Sequence, residues 1–113
     1  ATHVEAWLGA DAPTALDLAA RLHPTAAVGG TPRSEALAMI SDLEAAPRGR
    51  YAGPVGWMDA KGDGEFAIAL RCAQLSGDTA RLWAGAGIVA DSNPDAEVAE
   101  TTAKFDAVLS ALL

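Results

Sequence analysis

The side chains best suited to chemistry are Glu97, Glu100 and Lys104, which follow a Gly- and Ala-rich segment (84–87). At 100° per residue along a helix, the three fall within about 60° of one another and form one charged stripe. Two carboxylates in that arrangement can hold a hard cation such as Mg²⁺ together with an anion. The same spacing also fits simple helix stabilisation, with acids in the first turn and a Glu100–Lys104 pair at i,i+4.

Arg71 is a second candidate because alternation along 65–75 places it among small residues. One face of that segment carries Phe66, Ile68, Leu70 and Cys72, and the other carries Glu65, Ala67, Ala69, Arg71 and Ala73. Small neighbours leave room for a ligand, and a guanidinium offers the planar fork that carboxylates accept. The alternative is an arginine that snorkels to solvent or pairs with a structural acid. Glycines within 84–87 allow a backbone to approach a ligand closely.

Composition narrows the classes of protein to which the chain can belong. Its 113 residues are 50% hydrophobic, which suits one domain with a modest core, and the net charge is −7. The sequence has no basic cluster for nucleic acid, no apolar run long enough to cross a bilayer, and no signal peptide. Cys72 is the only cysteine, so no intrachain disulfide can form. These features predict a cytoplasmic protein that binds neither nucleic acid nor membranes.

The periodicity predicts an α+β fold with an antiparallel sheet, flanking helices and the element order βααβββα. A strand at 2–8 precedes a helix that opens at Asp11–Pro13, with Asp11 or Ala12 near its cap. A loop at 23–33 leads to a helix capped by Thr31. The last helix, 94–112, is expected to be capped by Ser92 or Asn93. A three-stranded meander is predicted between these helices, with strands at 51–59, 65–75 and 79–89 and turns at 61–64 and 76–78.

The beginning of the chain resembles a strand already in progress. Residues 2–8 alternate between two faces, as in a strand, but no turn or capping residue precedes them. The sequence also has no initiator Met. We therefore expect 1–113 to be the C-terminal part of a longer protein.

Five segments together resemble the C-terminal half of the chorismate-utilising enzymes, which include isochorismate, salicylate, anthranilate and aminodeoxychorismate synthases. The resemblance covers essentially the whole chain, and the loop HPTAAVGGTPR is most similar to that of isochorismate synthases. The segments are HPTAAVGGTPR (23–33), RGRYAGPVGW (48–57), GEFAIALR (64–71), AGAGIV (84–89) and EVAETTAK (97–104). The resemblance implies a larger chorismate-binding fold, to which this chain contributes several strands.

The resemblance also implies roles for individual residues. Glu100 matches a Mg²⁺-ligating carboxylate, and Glu97 matches its neighbour, which contacts the metal directly or through water. Lys104 matches a lysine near the substrate carboxylate and the metal. Tyr51 and Arg71 match the pair that binds the carboxylate of the enolpyruvyl side chain, and Gly85 matches a backbone position that lies against that side chain. His3 matches a catalytic histidine beside the reacting ring.

The implied reaction is the Mg²⁺-dependent conversion of chorismate to isochorismate. Water adds at ring carbon C2 while the C4 hydroxyl leaves and the diene shifts. The family's water-activating lysine, its general-acid glutamate and its first metal-binding glutamate lie upstream of the strand at 2–8, so this chain alone is expected to be inactive.

Two other functions remain open from the sequence. One is a salicylate synthase or another chorismate-utilising enzyme, and the other is a non-catalytic domain that binds a small anion or a partner subunit. The residues do not favour menaquinone over siderophore biosynthesis.

Overall fold

A computed structural model describes residues 3–112 and has the predicted α+β class. In the sequence, helices precede and follow a region of antiparallel hairpins. The order of helical and strand regions is therefore close to the predicted one. The elements are α1 (Ala15–Leu22), α2 (Ala26–Gly29), α3 (Arg33–Leu43), β1 (Pro54–Met58), β2 (Gly64–Ile68), β3 (Cys72–Ser76), β4 (Thr79–Trp83) and α4 (Pro94–Leu109).

Two hairpins form where the Gly- and Asp-containing turns predict them. β1 pairs antiparallel with β2 from Pro54–Ile68 to Met58–Gly64, and β3 pairs with β4 from Cys72–Trp83 to Ser76–Thr79. Pro54 starts an edge strand, where its missing N–H leaves no gap in the ladder. The turn chemistry therefore sets the register of both pairs.

The predicted middle strand 65–75 is wrong as one continuous strand, because a bend divides it into β2 and β3. The Leu70 amide donates to the Ile68 carbonyl at 2.9 Å, and Arg71 adopts a positive φ of 50°. Such a backbone interrupts strict alternation, so the two faces assigned from the sequence do not continue through Arg71. The result is two two-stranded sheets instead of a single meander.

The first predicted strand is also absent from the described residues. Residues 3–9 have no regular secondary structure, and Trp7 is fully exposed. A strand is defined by hydrogen bonds to a neighbour, and none of the described strands pairs with this segment. The predicted strand 79–89 likewise ends at Trp83, and the loop at 23–33 contains the short α2.

The helix caps show how local polar groups fix the helix starts. Asn93 caps α4 as predicted, with its side-chain oxygen accepting from the Ala96 amide at 3.1 Å. α1 begins later than expected, because Thr14 rather than Asp11 or Ala12 is its cap. α3 is preceded by Pro32 with no side-chain cap, so the predicted capping by Thr31 is wrong.

The solvent-accessible surface of the chain is unusually large for its mass. Its accessible area is 9033 Å² for a mass of 11.5 kDa, against about 5800 Å² for a compact monomer of that mass. Ala52 is the only hydrophobic residue classed as buried among those described, whereas Trp7, Trp57 and Phe105 are exposed. The modest core expected from composition is therefore wrong for this chain by itself. No helix within 3–112 combines the length and the hydropathy needed to span a membrane.

Replacing Thr14 by Ala should lower the free energy of unfolding by about 1 kcal/mol. The Thr14 hydroxyl oxygen accepts from the Asp17 amide at 3.2 Å, and the Asp17 carboxylate accepts from the Thr14 amide at 3.1 Å. Urea unfolding of the protein that carries this chain measures the change. Thr25→Ala, at a cap position without a side-chain hydrogen bond, is the matched control and should have a smaller effect.

Candidate substrate-binding site

A cavity of about 500 Å³ lies where α2, the end of α3, the segment after β4 and α4 meet. Small residues of 84–87 form one wall, and the remaining walls combine small apolar residues with a few charged and aromatic side chains. Its lining comprises Ala27, Val28, Glu44, Ala45, Ala46, Arg48, Tyr51, Ala52, Leu70, Trp83, Ala84, Gly85, Ala86, Gly87 and Lys104. The volume is within the range of small-molecule sites.

Tyr51 and Gly85 come together at this cavity. A Cβ atom on Gly85 would lie 2.8 Å from the Tyr51 hydroxyl oxygen, too close for the ring to keep its position. Glycine at position 85 therefore allows the phenol to lie against the backbone after β4. This contact links two candidates that are 34 positions apart in the sequence.

Lys104 joins α4 to the same wall. Its ammonium group donates a hydrogen bond to the Gly85 carbonyl at 2.8 Å and forms a salt bridge with Glu100 at 2.7 Å. The Lys104 side chain is 25% exposed and Glu100 is 56% exposed, so the cation is the more enclosed partner. The site thus presents a phenol, a glycine backbone and an ammonium group to one cavity, which is chemistry for an anionic ligand.

The two carboxylates of α4 provide a donor set compatible with Mg²⁺. Mg²⁺ commonly takes one or two protein carboxylates and completes its shell with water and ligand oxygens. Glu97 and Glu100 can supply those two carboxylates from one helix face. Within residues 3–112, no group of three or more His, Cys, Asp or Glu side chains converges on a common point.

Four of the candidate residues are not in the cavity lining: Arg71, His3, Glu97 and Glu100. Arg71 is exposed at the bend between β2 and β3, next to the lining residue Leu70. The His3 Nε2 atom lies 3.0 Å from Glu5 Oε1 in the segment without regular structure, and both side chains are more than 80% exposed. Within residues 3–112, neither the Arg71 nor the His3 side chain has a hydrogen bond or ion pair with Tyr51, Gly85 or Lys104.

Arg48 is a lining residue that the sequence reasoning missed. Its guanidinium makes bonds of 2.6–3.0 Å to the Glu44 carboxylate and donates to the Val28 carbonyl at 2.7 Å. The hydrogen bond with Glu44 is the main reason that the pKa of Arg48 is raised. The signal in the sequence was the i,i+4 spacing of Glu44 and Arg48 just before Tyr51.

The chain thus has an α+β fold and an open cavity, which is walled by the glycine-containing segment 84–87 and lined by the Lys104 side chain. A family model described as "Chorismate binding enzyme" matches residues 1–113. The chain belongs to the family of chorismate-binding enzymes.

Curated relatives are long proteins of the same family. One from Mycobacterium tuberculosis, provisionally named isochorismate synthase MenF, is 55% identical over 101 residues, which cover 88% of this chain and 27% of the relative. Isochorismate synthase MenF of Bacillus subtilis is 49% identical over 96 residues, which cover 85% of this chain and 20% of the relative. The chain therefore spans about a quarter of the length of the curated relatives that it matches.

A solved structure has the same local fold. It comes from Bacillus anthracis, is provisionally named a 2,3-dihydroxybenzoate-specific isochorismate synthase, and superimposes with a TM-score of 0.85 at 49% identity. The match covers 88% of this chain and 26% of the solved chain. Most of this chain therefore has the same fold as about a quarter of a longer chain.

Proposed function

We propose that this chain is the C-terminal part of the catalytic domain of an isochorismate synthase, which converts chorismate to isochorismate with Mg²⁺. The observation that carries the proposal is the convergence of Tyr51, Gly85 and Lys104 on one cavity. The names of relatives at about 50% identity support this reaction above others in the family.

In this proposal the cavity binds the carboxylates of the substrate. The Tyr51 hydroxyl and the Arg71 guanidinium donate hydrogen bonds to the carboxylate of the enolpyruvyl side chain. The Gly85 backbone lies against that side chain, and Lys104 adds positive charge beside the carboxylate and the cation. The proposed role of these residues is to bind and orient the ring, so that C2 faces the incoming water and C4 faces the proton donor.

Glu100 and Glu97 are the proposed holders of Mg²⁺, Glu100 directly and Glu97 directly or through water. Held by these two carboxylates, Mg²⁺ would supply positive charge next to the ring carboxylate and electrostatic stabilisation where charge develops. His3 is the proposed catalytic side chain beside the reacting ring. His3 is exposed in this chain, so contacts with the remainder of the protein would have to fix its position. Proton transfer to the departing hydroxyl and from water requires an acid and a base, which we assign to that remainder.

The proposal that the remainder is essential rests on surface area. The chain exposes 9033 Å² and leaves large apolar side chains on several elements in contact with solvent. Large apolar side chains exposed together mark an interface or an uncovered face. The quarter-length match to the relatives supplies a natural cover, namely the rest of the same enzyme.

The experiment that tests the proposed function is an assay of the complete protein with chorismate and Mg²⁺, followed by chromatography of the products. Isochorismate as the product supports the proposal. Salicylate with pyruvate would establish the salicylate synthase alternative instead. Absence of turnover under conditions in which the protein is folded would favour a domain that only binds an anion or a partner.

The purified 113-residue chain should show no conversion of chorismate above background. It carries candidate substrate and metal contacts without an assigned general acid or base, and its apolar faces are uncovered. The same chromatographic assay measures this result, with the complete protein as the positive control. Steady turnover by the chain alone would show that the missing groups are not required.

A further inference from the structure

The Arg48 side chain connects three segments of the cavity wall. The Nε and Nη2 atoms donate to the Glu44 carboxylate at the end of α3, with donor–acceptor distances of 2.6–3.0 Å. The Nη1 atom donates to the Val28 carbonyl in α2 at 2.7 Å. The guanidinium carbon also lies 5.8 Å from the centroid of the Tyr51 ring. Val28, Glu44 and Tyr51 all line the cavity.

These bonds join parts of the wall that are separate in the sequence. α2 is a four-residue helix, and its last carbonyls lack partners within so short a helix. α3 ends at Leu43, so Glu44 already lies beyond its last turn. Tyr51 follows a turn in which its amide donates to the Arg48 carbonyl at 2.9 Å. A single guanidinium therefore fixes the distances between α2, the end of α3 and the phenol.

We propose that Arg48 is a positioning residue that sets the shape of the substrate cavity by fixing Val28, Glu44 and Tyr51 relative to one another. This inference rests on the proposed function, because the cavity is taken to bind chorismate. In this proposal Arg48 acts through Tyr51 and the wall, because its guanidinium already bonds the Glu44 carboxylate and the Val28 carbonyl. The Glu44 carboxylate and the Val28 carbonyl lie on different edges of the guanidinium, so a lysine ammonium cannot replace it.

The test compares Arg48→Gln and Arg48→Lys with the wild type in the complete protein, assayed well below the melting temperature. We expect Arg48→Gln to raise KM for chorismate about tenfold and to change kcat less than twofold, because loss of wall geometry weakens binding of substrate and transition state alike. Arg48→Lys should recover less than half of the loss. A normal KM with only a lowered melting temperature would show that Arg48 stabilises the fold without positioning the site.

A double-mutant cycle tests whether Arg48 acts through Tyr51. In a Tyr51→Leu background, the further change Arg48→Gln should alter KM less than twofold, because the ring that it positions is gone. Independent tenfold effects in the two backgrounds would overturn the proposal. Arg50→Gln is the matched control. The exposed Arg50 side chain makes no hydrogen bond or ion pair in the part of the chain that the structure describes, so it should leave KM unchanged.

Amide hydrogen exchange provides a measurement that does not depend on activity. Arg48→Gln should speed exchange at the Val28, Gly29 and Gly30 amides about tenfold, since their bonds to the Thr25 and Ala26 carbonyls belong to α2. Unchanged exchange would contradict the proposal. If the wild-type protein does not convert chorismate, the proposed function fails, and the exchange result still decides whether Arg48 orders this wall.

Discussion

Replacing Glu100 by Gln in the complete protein should reduce kcat/KM at least about 100-fold or greatly raise the Mg²⁺ requirement. The physical reason is that an amide oxygen is a neutral and weaker ligand than a carboxylate for a hard cation. The effect on folding should be small. Because Glu100 is 56% exposed, its i,i+4 pair with Lys104 contributes only a few tenths of a kcal/mol, and the melting temperature should scarcely change. Activity measured across a Mg²⁺ titration, together with a thermal melt, tests both parts.

Two neighbouring acids are controls for that experiment. Glu97→Gln should show a smaller effect of the same kind, since Glu97 can act through water. Asp95 is also in the first turn of α4, but it lies about 140° from the Glu100 direction around the helix. If Asp95→Asn impaired activity as much as Glu100→Gln, the net charge of the turn would be the cause. If Glu100→Gln left the Mg²⁺ dependence unchanged, Glu100 would serve only the helix.

Replacing Arg71 by Ala should lower kcat/KM about 30- to 1000-fold, equivalent to roughly 2–4 kcal/mol. The guanidinium is proposed to bind the enolpyruvyl carboxylate through two parallel hydrogen bonds. Arg71→Lys should recover little because an ammonium group lacks that fork. Alanine and lysine have about the same conformational free-energy cost at the φ of 50° that position 71 adopts. A difference between the two variants therefore reports the effect of the side chain alone.

A matched arginine elsewhere makes the Arg71 result decisive. Arg81 is an exposed arginine on β4, opposite Gln74, and Arg81→Ala should leave the kinetics near normal. Steady-state kinetics with chorismate give both values. Near-normal kinetics for Arg71→Ala would assign Arg71 to the surface, in agreement with its position outside the cavity lining.

Features fixed by neighbouring residues could be predicted from the sequence. Asn93 was expected as a possible cap of α4, and the Gly- and Asp-containing turns correctly located both hairpins. Each depends on a few consecutive residues, whose side chains or permitted φ values specify the backbone. The α+β class followed from these local features together.

Features that depend on distant partners could not be predicted in the same way. The strand expected at 2–8 has no pairing partner among the described residues, and alternation contains no information about the positive φ of Arg71. The bond from Lys104 to the Gly85 carbonyl and that from Arg48 to the Val28 carbonyl join residues 19 and 20 positions apart. Only the folded chain reveals those contacts.

The most direct test of the central claim is a crystal structure of the complete protein with chorismate and Mg²⁺. We expect the substrate in the cavity beside Gly85, with a carboxylate oxygen about 2.7–3.2 Å from the Tyr51 hydroxyl and the Lys104 ammonium close to the same ligand. The Glu100 carboxylate should contact the cation. Substrate bound elsewhere, or a cavity filled by other parts of the protein, would contradict the assignment of this site.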